Sequence, residues 1–588
     1  MEEEQRLNIK KEKETWIDVD QFDVVLLGTN FIESILAGAL ARAGKSVLHL
    51  DKNSFYGGFD SSFTLSQLAT LLEESKDVKD PIPPYLSNVI VTDNSKIFEE
   101  EERLEQERKD KEEQEEQERK RLEQEKEKQT EQQDTKDDET KGGEGEESKG
   151  EEQQQEQTPI VKKPIKKTLH ELGRFFSIDL APTLLYSRGS MVNLLISSSA
   201  SKYLEFKSLD QNYLYAKNTL YNIPSTKGSI FKDSTFSLRE KRLIMKFIET
   251  IRELTQPTEN EQDKQEQEKK LEELNSKHDG NFLKLVKSFG MTELVESFVL
   301  YGLSLIHENL ESISLKQGVE SVQLYVSSLL VYGTSPFLVP YYGCGDIPQA
   351  FCRLCAVYGG TYVLQRSVES LSFDENNILQ GIKCTEGQPI KTKYFIASPA
   401  YVKTLDTQNT YPTITKRYSR FIGITNKKLN NTLEQSFITL PPNTCSNKNV
   451  INILQLDSIC VPYLKGKTLY HFTTLSEGES TAEEDLKSSV DNFFANNTQE
   501  ATSTDKPRLE WSSYFNFTFE TLTNDIKEKN VLNKDGGVLV CSDSPIGSTI
   551  DYASQLEEAK KLFEYICPNE IFLEKVPEPE DIVWGEAQ

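Results

Sequence analysis

Apolar residues along the chain follow two spacings. Residues 22–27 (FDVVLL) form an unbroken apolar run of strand length, closed by Gly28. Residues 31–43 then read as a helix, and residues 46–50 (SVLHL) are a second strand, closed by Asp51. Strand, helix and strand in succession predict a βαβ opening. After Val91 the pattern stops. It resumes with helical spacing: Leu184, Leu185, Met191, Leu194, Leu195 and Ile196 form one amphipathic stretch, and Leu243, Ile244, Phe247, Ile248 and Ile251 form another. Phe282, Leu285, Val286 and Phe289 continue it, followed by Leu294, Phe298 and Tyr301. This predicts an inserted all-helical domain over residues 180–330.

The second half returns to mixed structure. Asp346 suits a helix N-cap and Pro348 a first turn, with Phe351 and Leu354 on the buried face and Gly359-Gly360 as the stop. Strands are expected at 361–364, 394–397, 450–454, 469–473 and 538–541, and a last helix at 552–566. The fold class expected is α/β in the multi-domain α+β sense, with a dinucleotide-binding-like domain I of mixed sheets and the helical domain II inserted. Its parts are 20–95, an acidic insertion at 96–165, the helical 180–330, and 331–588 as the remainder of domain I.

Charge changes this picture at one place. Between Glu99 and Glu156, 26 acidic residues stand against 12 basic ones, an excess of 14, about half of the formal net charge of −27. That stretch has almost nothing to bury, which predicts a disordered or frayed-helix insertion. No basic stripe exists, so nucleic acid is not expected as a partner. The charged start and the lack of a long apolar run predict neither signal peptide nor membrane span. The eight cysteines fit free thiols in a reducing cytosol. Cys352 and Cys355 form a CxxC, but with scattered histidines it is expected to face a core rather than hold zinc, and no metal site is expected.

The βαβ turn reads Gly28-Thr29-Asn30-Phe31-Ile32-Glu33, where G-x-G-x-x-G belongs, and Asp51 stands where a ribose-binding acid belongs. Asn30 and Glu33 replace two glycines. A carboxylate in the first helical turn complements the helix dipole and would repel a diphosphate. The motif is degenerate, and no cofactor is expected. A FAD-dependent oxidoreductase stays open as the rival, since residues 538–543 (VLVCSD) resemble the strand and Gly-Asp segment of many flavoproteins, with Ser542 in place of the glycine.

Residues 22–58 (FDVVLLGTNFIESILAGALARAGKSVLHLDKNSFYGG) and 341–364 (YYGCGDIPQAFCRLCAVYGGTYVL) resemble the two signature regions of the Rab GDI and Rab escort protein superfamily. Residues 174–215 resemble the start of that family's helical domain. Within the superfamily the long insertion, the CxxC helix and the segments 506–511, 567–570 and 577–582 resemble the escort branch, of a fungal type. The resemblance implies a non-catalytic cytoplasmic protein that binds GDP-bound Rab GTPases. It would present them to the Rab geranylgeranyl transferase α/β heterodimer and shelter the geranylgeranyl lipid, with transient membrane contact. A Rab GDP-dissociation inhibitor is the near alternative.

The family's Rab-binding platform carries over to Tyr56, Asp346, Arg353, Thr361 and Val363. Asp346 is one methylene shorter than the usual Glu, and Val363 stands for Met. Each also has a plain structural role open to it: helix cap for Asp346, exposed cation for Arg353, turn packing for Tyr56, strand formation for Thr361 and Val363. The prenyl groove is expected around Leu194, Leu195, Leu243, Phe247, Leu285 and Phe289, which otherwise pack a bundle core. Phe282 is the expected transferase contact.

Overall fold

The structure, a computed structural model, describes residues 16–76, 85–134, 168–256, 258–307, 310–376, 378–403, 405, 413–430, 432–457, 466–495, 506–522, 537–543 and 550–575. Cys460, residues 577–582 and the insertion between 135 and 165 lie outside them.

The opening is β1 (Gln21–Leu27), α1 (Phe31–Arg42) and β2 (Val47–Asp51), with β1 and β2 parallel and Leu27 opposite Leu50. Every residue of α1 from Phe31 to Ala41 is buried, because its sequence is apolar or small all round except for Glu33. The helical region contains α2 (Leu238–Thr255) and α3 (Leu315–Ser328), each started by a capping box, Ser237 with Glu240 and Ser314 with Gln317. Then come α4 (Asp346–Val357), β3 (Thr361–Leu364), β4 (Pro389–Ala397), β5 (Gly537–Val540) and α5 (Ala553–Ile566).

Strands β3, β2, β1, β4 and β5 pair in that order, all parallel, and an antiparallel hairpin (Val368–Phe373, Leu379–Cys384) adds to β4. Both faces are covered, as parallel sheets require. On one side Ile35 and Leu36 of α1, Phe351 of α4 and Phe563 of α5 share a core. On the other, Val25, Leu48, Phe395 and Tyr401 form a second.

A separate eight-stranded sheet runs, in order, 85–93, 509–522, 413–425, 468–475, 451–457, 436–440, 211–216 and 219–222. Its last two strands differ from the expected all-helical 180–330 segment. Gln211–Ala216 and Thr219–Asn222 form a hairpin whose two-residue loop, Lys217-Asn218, has positive φ at both positions. That is the type I′ turn that matches strand twist. Short strands also occur at Ile178–Asp179, Leu185–Tyr186 and Phe206–Ser208. Helices dominate only from Lys227 onward.

The chain divides into two units, residues 1–92 with 173–588, and residues 93–172. Helices α2 and α3 belong to the first unit together with both sheets. In the second, Ser95–Asp134 is one helix of 40 residues. Glu, Lys, Arg and Gln are strong helix formers, and Arg103–Glu107, Lys109–Glu105 and Lys120–Glu116 are paired at i,i+4.

Candidate functional site

The turn after β1 is built as a dinucleotide crevice and filled by the chain itself. Gly28 has φ +102, and a Cβ there would meet the Tyr401 ring at 2.6 Å. The Phe31 N–H, at the start of α1, donates to the Asp60 carboxylate at 3.2 Å, and the Asn30 carboxamide oxygen accepts from the Phe59 N–H at 3.1 Å. The positive end of α1 thus already faces a carboxylate of its own chain. Asp51 is equally engaged. It accepts from the Thr29 hydroxyl at 2.5 Å, the Asn53 N–H at 2.8 Å and the Tyr401 hydroxyl at 3.1 Å, so both oxygens are taken.

Glu33 is wholly buried, and its Oε2 has no hydrogen-bond partner. Burial, with the Asp543 carboxylate nearby, pushes its carboxyl up to about 8. Burial likewise pushes Asp543 up to about 7. This corrects the expectation of a repelling charge: at neutral pH Glu33 is largely protonated and blocks the crevice by occupying it. These residues do not fit a dinucleotide.

Beside the crevice lies a pocket of about 380 Å³, lined by Tyr56, Tyr203, Asp346, Cys352, Arg353 and Tyr362. Helix α4 presents Asp346 in its first turn and Arg353 two turns later, about 10 Å along the axis. The Arg353 guanidinium lies 4.5 Å from the Tyr203 ring centroid, and Tyr56 meets Tyr362 edge-on at 6.2 Å. His49 bonds Tyr362 through Nδ1 at 2.9 Å and the Gly28 carbonyl through Nε2, joining pocket to crevice. Burial pushes His49 down to about 4, so it is neutral.

Asp346 does not cap α4. The cap position is Gly345, which makes no side-chain cap bond, and its N–H donates to the Ser62 hydroxyl at 2.8 Å. The half-buried Asp346 carboxyl lines the pocket instead, pushed up to about 6 by burial and by Asp179. Of the five platform residues, Tyr56, Asp346 and Arg353 come together here. Thr361 and Val363 do not, because strand alternation turns them away from Tyr362, and Val363 packs in the core on the other sheet face. Tyr203 and Tyr362 were not foreseen; Tyr362 had a signal in its alternation with those two. Burial pushes the Cys352 and Cys355 thiols up to about 11 and about 12, so neither supplies a thiolate at neutral pH. Among the described residues no cluster of three or more His, Cys, Asp or Glu side chains is placed to hold a metal.

A second pocket, of about 430 Å³, opens between α2 and α3, with Ile230, Met245, Ile248, Ile251, Leu303 and Val326 among its lining. None of the six groove candidates lines it. Leu194 and Leu195 belong to the core around α1 and α5. Leu243 is half-buried, and Leu285 and Phe247 are buried. Phe247 packs edge-on against Phe289 at 5.4 Å. Phe282 is wholly buried and faces Gly318, where a Cβ would come within 2.5 Å of its ring. It offers no surface to a partner in this conformation. Of the stretch that helical spacing picks out, Ile248 and Ile251 line this pocket, while Phe247 turns into the core beside it.

The fold is that of a Rab GDI. The structure matches the Rab GDI of Plasmodium falciparum with a TM-score of 0.62 over 94% of this chain and 100% of that one, at 20% identity. The family described as GDP dissociation inhibitor matches residues 18–82 and 153–538, and the chain belongs to it, as the two signature regions implied. The chain is 30% identical to the Homo sapiens "Rab proteins geranylgeranyltransferase component A 1" over 96% of this chain and 93% of that protein. It is 24% identical to the Schizosaccharomyces pombe "Probable secretory pathway GDP dissociation inhibitor 1" over 78% of this chain and 81% of that protein.

Proposed function

We propose that the chain is a Rab escort protein. It binds newly made GDP-bound Rab GTPases, presents them to the α/β heterodimer of Rab geranylgeranyl transferase, and carries the prenylated product to membranes. The observation that carries this reading is the extent of likeness. The component A relative is matched over nearly the whole of both chains, whereas the GDP dissociation inhibitor is matched over about four fifths.

The geometry supports a carrier with no chemistry of its own. The dinucleotide crevice is closed by Asp60, Asn30 and Glu33. The pocket holding Tyr56, Asp346 and Arg353 offers an acid and a base on one helix face for docking the GTPase. Thr361 and Val363 would act from the strand beyond it. The apolar pocket between α2 and α3 suits the lipid. Burial is worth about 0.8 kcal/mol per methylene, so a chain of some twenty carbons left in water would cost on the order of 10 kcal/mol. No helix among the described residues is long and apolar enough to cross a membrane. This fits a cytoplasmic carrier that visits membranes only to deliver cargo.

The test is reconstitution. Unmodified GDP-bound Rab, the transferase and labelled geranylgeranyl diphosphate should give prenylated Rab only when this chain is added. A chain that extracts prenylated Rab from membranes yet supports no transfer is a recycling inhibitor instead. Arg353→Ala should weaken Rab binding about tenfold, as expected for a desolvated cation at an interface centre. Native Rab affinity in that variant removes the pocket from the platform.

A further inference from the structure

Leucine is out of place in the left-handed backbone region, where its Cβ crowds the following carbonyl. Among the described residues three leucines have positive φ: Leu305 at 51°, Leu330 at 61° and Leu573 at 46°. Two are explained by burial, since Leu305 is 9% and Leu573 is 2% exposed. Leu330 is 57% exposed and gains no such compensation. It follows Leu329, which ends α3 with φ −65 and ψ 142. An extended residue followed by a positive φ is the central pair of a type II turn, whose second position calls for Gly or Asn.

The side chain held in that strained turn lines the pocket between α2 and α3. The other exposed residues around the pocket are Thr226, Lys227, Arg252, Gln256 and Ser327, all polar, while Met245, Ile251 and Ile230 are buried within it. Leu330 is therefore the apolar side chain of an otherwise polar rim. Strain kept at a pocket mouth, on a side chain more exposed than buried, points to a role in occupancy.

We propose that Leu330 is the gate of this pocket: from the strained turn its side chain folds over an isoprenoid chain that has entered and slows its escape. This rests on the reading of the pocket as the prenyl shelter. The occupant is the client's isoprenoid, because the interior is apolar and the rim offers polar groups to the peptide that carries the lipid.

The experiment uses the full chain and a dansyl-labelled peptide ending in geranylgeranyl-cysteine, with affinity and release followed by fluorescence. Leu330→Gly and Leu330→Asn both suit a positive φ, so their unfolding temperatures should stay at or above the native value. Both should bind the probe about tenfold more weakly, the change lying in faster release. Leu330→Met keeps an apolar side chain and should retain slow release. Ser327→Trp fills the pocket from its rim without removing core atoms and should abolish binding. Native binding by Ser327→Trp would overturn the shelter reading. Lost binding in Ser327→Trp with native release rates in both Leu330→Gly and Leu330→Asn would overturn the gate alone. Lower unfolding temperatures in both, with affinity unchanged, would make Leu330 merely structural.

Discussion

At the scale of single residues, the informative position is Glu33. A glycine there would serve close packing of helix on strand; the glutamate fills the space and holds a proton to do so. Its carboxyl is pushed from an ordinary 4.5 to about 8 by burial, then by Asp543. The native state therefore keeps a proton that the unfolded chain releases above pH 4.5. Glu33's contribution to stability is fully present below that pH and is lost as pH rises toward 8, with a slope of at most about 1.4 kcal/mol per pH unit. Glu33→Gln cannot titrate. Its stability relative to the native protein should rise steadily between pH 5 and pH 8, read from denaturant unfolding at three pH values. Asp543 remains and titrates in the same sense, so the variant's slope should shrink rather than vanish. Equal slopes in the two proteins would mean that Glu33 is not a buried neutral acid.

At the scale of elements, the contact between Phe282 and α3 shows what sequence periodicity resolves and what it does not. The Phe282 ring occupies space that any side chain at position 318 would need, and Phe247 packs edge-on against it at 6.4 Å. Phe282→Ala should lower the unfolding free energy by about 3–5 kcal/mol, and Gly318→Val by about 1–3 kcal/mol through overpacking. Chemical denaturation reads both. A Phe282→Ala protein of native stability would show that the ring is not in the core and would reopen it as a partner contact. The apolar period picked out Phe247 in one helix and Phe282 and Leu285 in another, and all three are buried, yet no period says whether an inner face ends in a core or a groove. The βαβ opening was legible because its runs are long and bounded by Gly28 and Asp51. The hairpin at 211–222 was not, since its strands are short and it borrows stability from a neighbour, Ser436–Leu440, more than two hundred residues away. The pocket beside the crevice was legible in part: Asp346 and Arg353 share a helix face two turns apart. The presence of Tyr203 depends on a tertiary approach that no local pattern encodes.

At the scale of the whole molecule, the buried cores and the long charged helix lie in different units. The larger unit holds both sheets and their buried cores. The helix Ser95–Asp134 is about 60 Å long and, beyond the buried Phe98 in its first turn, has almost no apolar face, its Leu104 and Leu122 being exposed. Such a helix is held by propensity and by ion pairs along its surface, so it neither lends nor draws much stability from a core. Deleting residues 100–165 should leave the cooperative unfolding temperature within about 2 °C of native and prenylation support unchanged, while the helical far-ultraviolet signal falls. In the intact chain that lost signal should melt gradually below the main transition, and 1 M salt should weaken it by screening Arg103–Glu107 and its companions. A deletion that lowers the main transition by many degrees would show that the charged helix is part of the folding unit. It would then have to be treated as scaffold rather than as an insertion the fold tolerates.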